Sequence, residues 1–187
     1  SMDRNIGRIL DYLDKNGLTK NTIVIYTSDQ GFYMGEHGWF DKRFMYEESL
    51  RTPFVLRYPA RLAPGKVVNN MLVNIDFAPT LIDLAGVKVP ADMHGKSFAP
   101  LLSGAKVNNW RKAMYYHYYE YPEPHRVAPH FGIRTERYKL IRFYGPHDDW
   151  ELFDLQSDRL EVKNLINDPS KKALIADLKK QLKALIL

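Results

Sequence analysis

Hydrophobic side chains recur every three to four positions near both ends of the chain. Residues 3–16 place Ile6, Ile9, Leu10 and Leu13 at the i, i+3, i+4, i+7 spacing of an amphipathic helix. Residues 170–187 repeat this pattern, with the apolar positions Leu174, Ile175, Leu178, Leu182 and Leu185. The pattern therefore predicts one helix at each end, and the second should lay its apolar face on a neighbouring element.

Two short apolar runs between these helices have the composition of strands. Residues 22–26 are rich in β-branched side chains and predict a strand buried on both faces, and residues 54–57 predict a second strand. Residues 76–85 predict a helix that tolerates Pro79 in its first turn. A helix that leads into a buried strand is half of a βαβ crossover, so we expect the preceding strand to lie outside this chain.

The composition changes near residue 110, where aromatic residues become frequent. Strand-like runs follow at residues 114–121, 131–134, 138–144 and 150–153. Residues 135–137 are few enough for a hairpin connection between two of them. We predict an α/β protein with two domains: residues 1–110, and residues 111–187 as a small antiparallel sheet packed on the C-terminal helix.

Composition and charge limit the classes of function. The chain has 187 residues, a net charge of +5 and no cysteine. The positive charge fits a solvated basic surface, or a preference for anionic ligands such as sulfated glycans. We see no nucleic-acid-binding signature and no apolar run of the roughly 18 residues that would cross a membrane. The oligomeric state stays open.

The residues after the first predicted strand have the chemistry of a metal and anion site. Asp29 and Gln30 follow residues 22–26 closely, and in open α/β sheets ligands bind at the carboxyl ends of strands. Their carboxylate and amide oxygens suit a hard cation such as calcium. Lys42 stands thirteen residues after Asp29, and His37 lies between two glycines. Alternatively, Asp29 only begins a turn and Lys42 is a surface residue.

This stretch resembles the C-terminal half of the type I sulfatases, in the alkaline-phosphatase superfamily. The resemblance is carried by an S-D-Q-G turn, a lysine about a dozen residues later and a Y-E-x-x-x-R-x-P segment, here Ser28–Gly31, Lys42 and residues 46–53. It implies the C-terminal part of an alkaline-phosphatase-like α/β sandwich. It also implies that Asp29 and Gln30 bind Ca²⁺ and that Lys42 grips the sulfate. The roles of His37 follow from its own chemistry: a histidine can act as a general acid near neutral pH, or His37 can brace its loop between two glycines.

The nucleophile of such enzymes is a formylglycine, made from the Cys or Ser of a C/S-x-P/A-x-R motif. No serine of this chain opens such a motif, and cysteine is absent. We therefore expect the nucleophile to come from a missing N-terminal part, and the isolated chain to be inactive. The resemblance also implies a periplasmic or secreted parent protein.

The aromatic stretch after residue 114 carries the candidate substrate contacts. Tyrosines, histidines and a carboxylate can stack on sugar faces and bind hydroxyl groups, and the candidates are His117, Glu120, His125 and His130. The same side chains could instead fill a core. We expect Glu47 and Arg51 to form a structural ion pair.

The sequence thus favours a fragment of a sulfuric ester hydrolase that acts on sulfated sugars. A phosphoesterase or phosphonate hydrolase of the same superfamily is the alternative within the enzymes, because its metal turn and lysine would look alike. A non-catalytic glycan-binding domain is the alternative outside them.

Overall fold

A computed structural model describes residues 1–186 of the chain. The helices are α1 (Met2–Lys15), α2 (Glu47–Leu50), α3 (Phe77–Leu84), α4 (Ala99–Ser103) and α5 (Lys172–Ile186). The strands are β1 (Val24–Thr27), β2 (Phe54–Arg57), β3 (Ala113–Tyr118), β4 (His130–Thr135), β5 (Tyr138–Phe143) and β6 (Trp150–Asp154). Short 3-10 turns lie at Thr19–Asn21, Glu36–Gly38, Asn74–Asp76 and Pro169–Lys171.

The predicted helices and strands are confirmed to within a few residues at their ends. Leu187, the last residue of the predicted C-terminal helix, lies outside the described residues. No helix among residues 1–186 combines the length and the apolar character that spanning a membrane requires.

The chain forms two compact units. Unit 1 consists of Ser1–Ser28 and Pro53–Asn109. Unit 2 consists of Asp29–Thr52 and of the chain from Trp110 onward. The division falls one residue from the expected boundary at residue 110. The segment Asp29–Thr52, however, which we expected in the first domain, belongs to the second unit.

In unit 1, β1 and β2 form an antiparallel pair in which Val24 lies opposite Arg57. The prediction that β1 is buried on both faces is wrong for this unit, because Tyr26 and Val55 are 46% and 63% exposed. Within the described residues β1 pairs with β2 alone. A two-stranded ribbon has too few neighbours to cover both of its faces.

The start of α3 is fixed by a buried carboxylate. Asp76 accepts hydrogen bonds from the backbone N–H groups of Val73 (3.0 Å) and Lys96 (2.9 Å) through its two side-chain oxygens. The hydroxyl of Thr80 donates to the Asp76 carbonyl at 2.6 Å and accepts from the N–H of Phe98 at 2.9 Å. These bonds tie the loop before α4 to α3.

Unit 2 is built on a four-stranded antiparallel sheet in the order β3-β4-β5-β6. Because side chains alternate along a strand, the sheet has two distinct faces. One face carries Ile133, Leu140 and Leu152 and packs against Leu178 and Leu182 of α5. The predicted packing of the C-terminal helix on this sheet is thereby confirmed.

The segment Asp29–Thr52 covers the other face of the sheet. Met45 is fully buried against Ile141 and Phe153. Gly132 permits this approach, since a Cβ there would stand 2.7 Å from the Met45 sulfur. Burying an apolar side chain of this size contributes about 1.5–3 kcal/mol, which is the physical reason the segment joins unit 2.

Candidate active site

The segment that carries Asp29, Gln30, His37 and Lys42 closes on itself as a loop. The N–H of Gly31 donates to the carbonyl of Ser49 at 2.8 Å, and a Cβ at Gly31 would collide with the carbonyl of Glu48. Only glycine allows this close approach of two backbone segments. The loop therefore returns beside its own starting point.

This closure brings Gln30 against Lys42. The side-chain nitrogen of Gln30 donates to the Lys42 carbonyl at 2.5 Å and to the Ser49 hydroxyl at 3.0 Å. The Ser49 hydroxyl donates in turn to the same carbonyl at 2.9 Å. The amide nitrogen only donates hydrogen bonds, so the amide oxygen is the atom of Gln30 that has the chemistry of a cation ligand.

Asp29 and Gln30 have oxygen donors of the kind that bind calcium. Calcium takes about six to eight oxygen ligands, and a carboxylate with an adjacent amide can supply two of them. Oxygen donors without histidine or thiolate favour a hard cation over zinc. Within residues 1–186 no group of three or more His, Asp or Glu side chains is placed to hold a metal ion. The described chain thus offers part of a coordination shell.

His37 is held within the loop by aromatic and charged neighbours. Its ring stacks on that of Tyr46, with 4.3 Å between centroids and 20° between planes, and meets Tyr33 edge-on. Its Nε2 lies 3.5 Å from the Glu48 carboxylate. The backbone of His37 has a φ of 55°, which residues other than glycine rarely adopt. These contacts favour the bracing role for His37, and its catalytic role stays a prediction.

Glu47, at the start of α2, is anchored in a buried ion cluster. Its carboxylate binds Arg134 and Lys139, each at 3.0 Å, and its backbone N–H donates to Glu161 at 2.7 Å. Lys139 also binds Glu161 at 2.6 Å, and both of these side chains are fully buried. The expected pair between Glu47 and Arg51 is therefore wrong. Arg51 is exposed, and the partners of Glu47 lie on β4, on β5 and after β6.

The cluster shifts the titration of its carboxylates. Burial alone would raise the pKa of Glu47, but the hydrogen bond from Arg134 and the charge of Lys139 outweigh it and lower this pKa to about 2. Burial raises the pKa of Glu161, against the opposing effect of Lys139. An ionised Glu47 therefore fastens α2, and with it the end of the loop that carries Lys42, to the sheet.

His130 belongs to the core of unit 2. It is 0% exposed, its Nδ1 lies 2.8 Å from the Ala128 carbonyl, and its ring stacks against Phe44, Tyr116 and Tyr118. Burial lowers its pKa to about 4, so the ring is neutral near pH 7. The expectation that His130 contacts substrate is corrected, because none of its surface can reach a ligand.

His117 lies on the other face of the sheet. Its two ring nitrogens are 2.8 Å from the Tyr115 hydroxyl and 2.7 Å from the Tyr144 hydroxyl. Burial lowers its pKa. Tyr115 packs with the core beneath α5, and alternation puts His117 on that same face. The structure therefore does not bring His117 together with Lys42.

Glu120 and His125, by contrast, connect to the loop of Lys42. His125 lies 2.8 Å from the Glu120 carboxylate through Nδ1 and 2.6 Å from the Arg43 guanidinium through Nε2. Arg43 immediately follows Lys42. Hydrogen bonds from Tyr118 and His125 lower the pKa of Glu120. Arg43 is not among the site residues that the sequence predicts, and its position next to Lys42 is the one local signal for it.

Residues 35–187 match the family "N-sulphoglucosamine sulphohydrolase, C-terminal". The chain therefore belongs to this family of sulfatases, as the C-terminal portion of such a protein. The expected α/β fold of the alkaline-phosphatase superfamily agrees with the solved sulfatase structures that resemble it.

Individual relatives support the same class. The N-acetylglucosamine-6-O-sulfatase of Bacteroides thetaiotaomicron is 50% identical over all of this chain, which covers 33% of that protein. A solved structure in complex with its substrate D-glucosamine-2-N,6-O-disulfate is 49% identical, with a TM-score of 0.93 over 97% of this chain and 37% of that one.

The names of two more distant relatives add an extracellular location and a different hydrolase activity. An extracellular sulfatase homologue of Drosophila melanogaster is 39% identical over 59% of this chain and 10% of its own length. The phosphonate monoester hydrolase of Agrobacterium radiobacter is 27% identical, with a TM-score of 0.87 over 98% of this chain and 38% of that one. The chain spans about a third of the length of the N-acetylglucosamine-6-O-sulfatase and of the substrate complex described above.

Proposed function

We propose that the protein to which this chain contributes its C-terminal part hydrolyses the 6-O-sulfate ester of glucosamine residues in sulfated sugars. The observation that carries the proposal is the hydrogen bond from the Gln30 amide to the Lys42 carbonyl, which joins the turn proposed to bind a cation to the lysine proposed to bind the sulfate. A relative of 50% identity and a substrate complex of 49% identity support the choice of sugar.

The residues of this chain would serve the sulfate side of the reaction. Asp29 and Gln30 would hold calcium, which supplies positive charge to the sulfate oxygens. The Lys42 ammonium would bind a sulfate oxygen and stabilise the charge that develops on the departing sugar oxygen. Glu120 and His125 would bind the sugar hydroxyls. His37 would brace the loop or donate a proton to the leaving group.

The test uses the purified full-length parent protein. We expect it to release sulfate from N-acetylglucosamine 6-sulfate, measured by ion chromatography, and to be slower on a phosphonate monoester with the same leaving group. A preference for the phosphonate would favour the second enzyme class, for which the relatives are less similar. No turnover of either ester would leave the glycan-binding alternative.

The isolated chain should behave differently from its parent. We expect the 187-residue chain to hydrolyse no aryl sulfate and to bind calcium weakly, because it offers only part of a metal shell. Turnover by the chain, free of contaminating enzyme, would contradict the assignment of the nucleophile to the rest of the protein.

We also propose that the parent acts outside the cytoplasm, as a periplasmic or secreted protein. An extracellular relative supports this location, and a polymeric sulfated glycan is too large and too charged to cross a membrane unaided. Fractionation of the producing cells, followed by immunodetection, would test it. Recovery of the protein in the cytoplasmic fraction alone would refute it.

A further inference from the structure

Glu120 has one carboxylate oxygen engaged and one available. The engaged Oε2 accepts from the Tyr118 hydroxyl at 2.8 Å and from His125 Nδ1 at the same distance. The other oxygen, Oε1, has no partner among the described residues, and the side chain is 42% exposed. Glu120 therefore presents an ionised oxygen, fixed in orientation, to whatever binds beside it.

The proton positions in this network follow from its donors. A guanidinium offers only hydrogen-bond donors, so His125 Nε2 must accept the 2.6 Å hydrogen bond from Arg43. The proton of a neutral His125 then lies on Nδ1 and is donated to Glu120. One tautomer therefore satisfies all three side chains at once.

Arg43 is occupied by protein groups. Its Nη1 donates to Asp41 at 3.1 Å while its Nη2 donates to His125, and its carbonyl accepts from the Tyr116 hydroxyl at 2.9 Å. Its side chain is only 20% exposed. Arg43 is therefore suited to holding the Glu120–His125 pair in register with Lys42, its neighbour in the chain, rather than to binding a sulfate.

We infer that Glu120 determines which sugars this site accepts: its carboxylate binds a free ring hydroxyl and excludes a second O-sulfate at that position, with Arg43 as the positioning residue. The inference rests on the proposed sulfatase function. A site that hydrogen-bonds a hydroxyl rejects sugars that lack it, because the polar group of the site would lose its partner. A sulfate there would face an uncompensated like charge.

The experiment measures kcat/KM of the full-length parent for glucosamine 6-sulfate and for its 3,6- and 4,6-O-disulfates. We expect one disulfate to be rejected at least ~100-fold relative to the monosulfate. Glu120→Gln keeps an acceptor oxygen without the charge, and should reduce that discrimination at least ~10-fold while also slowing the monosulfate reaction. Glu136→Gln, in the exposed turn at the far end of β4, is the matched control.

The positioning role of Arg43 is tested with substitutions of Arg43 itself. Arg43→Ala should raise KM for the monosulfate about tenfold with a smaller effect on kcat, because the Glu120–His125 pair loses its anchor. Arg43→Lys retains a donor and should restore part of the loss in KM. An unchanged KM, or a loss confined to kcat, would overturn the assignment.

Different results would overturn the proposed sulfatase function and the specificity role of Glu120. An unmodified parent that hydrolyses none of these sulfates overturns the proposed function. The specificity role alone is overturned if the unmodified parent is active on the monosulfate and the Glu120→Gln variant rejects the disulfates as strongly as the unmodified parent does.

Discussion

Replacing Glu47 with glutamine is expected to lower the free energy of unfolding of unit 2 by about 3 kcal/mol at pH 7. The pKa of Glu47 falls from an ordinary 4.5 to about 2. At roughly 1.4 kcal/mol per unit, this shift corresponds to about 3 kcal/mol of stabilisation by the folded state. The side chain is 20% exposed, so screening by solvent is limited.

The effect of Glu47→Gln on the free energy of unfolding should also depend on pH. The pKa of Glu47 is lower in the folded state than in the unfolded state, so its contribution is fully present above pH 4.5 and is lost as pH falls towards 2. The difference between the unmodified chain and Glu47→Gln should therefore shrink steadily below pH 4.5. Lys139 and Glu161 are present in both chains, but the charge of Glu47 raises the pKa of Glu161, so the difference measures Glu47 together with this coupling.

The assay is urea unfolding followed by tryptophan fluorescence. The three tryptophans, Trp39, Trp110 and Trp150, all lie in unit 2, so the signal reports on that unit. Glu136→Gln, in an exposed turn, should change stability by less than about 0.5 kcal/mol. A similarly small effect of Glu47→Gln at pH 7, or a loss that persists unchanged at acid pH, would refute the reasoning.

Three further predictions test other parts of the structure. Gly31→Ala should destabilise unit 2 by about 1–3 kcal/mol in the same assay, because its Cβ meets a backbone carbonyl, whereas Gly7→Ala, in open space on α1, should not. The unmodified chain should lose up to about 3 kcal/mol of its free energy of unfolding as pH falls from 6.5 to 4, because the neutral folded imidazole of His130 resists protonation. His130→Phe should remove this loss, and an unchanged dependence of stability on pH would contradict the reasoning. Asp29→Asn in the full-length protein should weaken calcium binding at least ~10-fold by calorimetry, and unchanged affinity would exclude Asp29 as a ligand.

The helices and strands could be predicted because their signals are local. The spacing of apolar residues in α1 and the apolar run at β2 depend on a few neighbouring positions. The packing of Asp29–Thr52 on the sheet could not be predicted in this way. It depends on contacts such as that between Glu47 and Glu161, which are 114 residues apart.

The candidate site could also be predicted from the sequence only where its signals are local. Asp29, Gln30 and Lys42 lie within one short motif, so a sequence pattern can find them. Whether a histidine of the aromatic stretch is buried or faces the α5 side depends on strand register and on side-chain alternation. His125 acquires its link to the loop through Arg43, 82 residues away, and no local pattern carries that information.

The most direct test of the account is kcat/KM of the full-length parent for N-acetylglucosamine 6-sulfate with Lys42→Ala. Loss of a positioned donor to developing charge typically costs about 100- to 1,000-fold in rate, and we expect a loss of this size. Lys20→Ala, at an exposed position of unit 1, should leave the rate unchanged. A Lys42→Ala protein that folds and retains the activity of its parent would contradict the assignment of this loop to the sulfate.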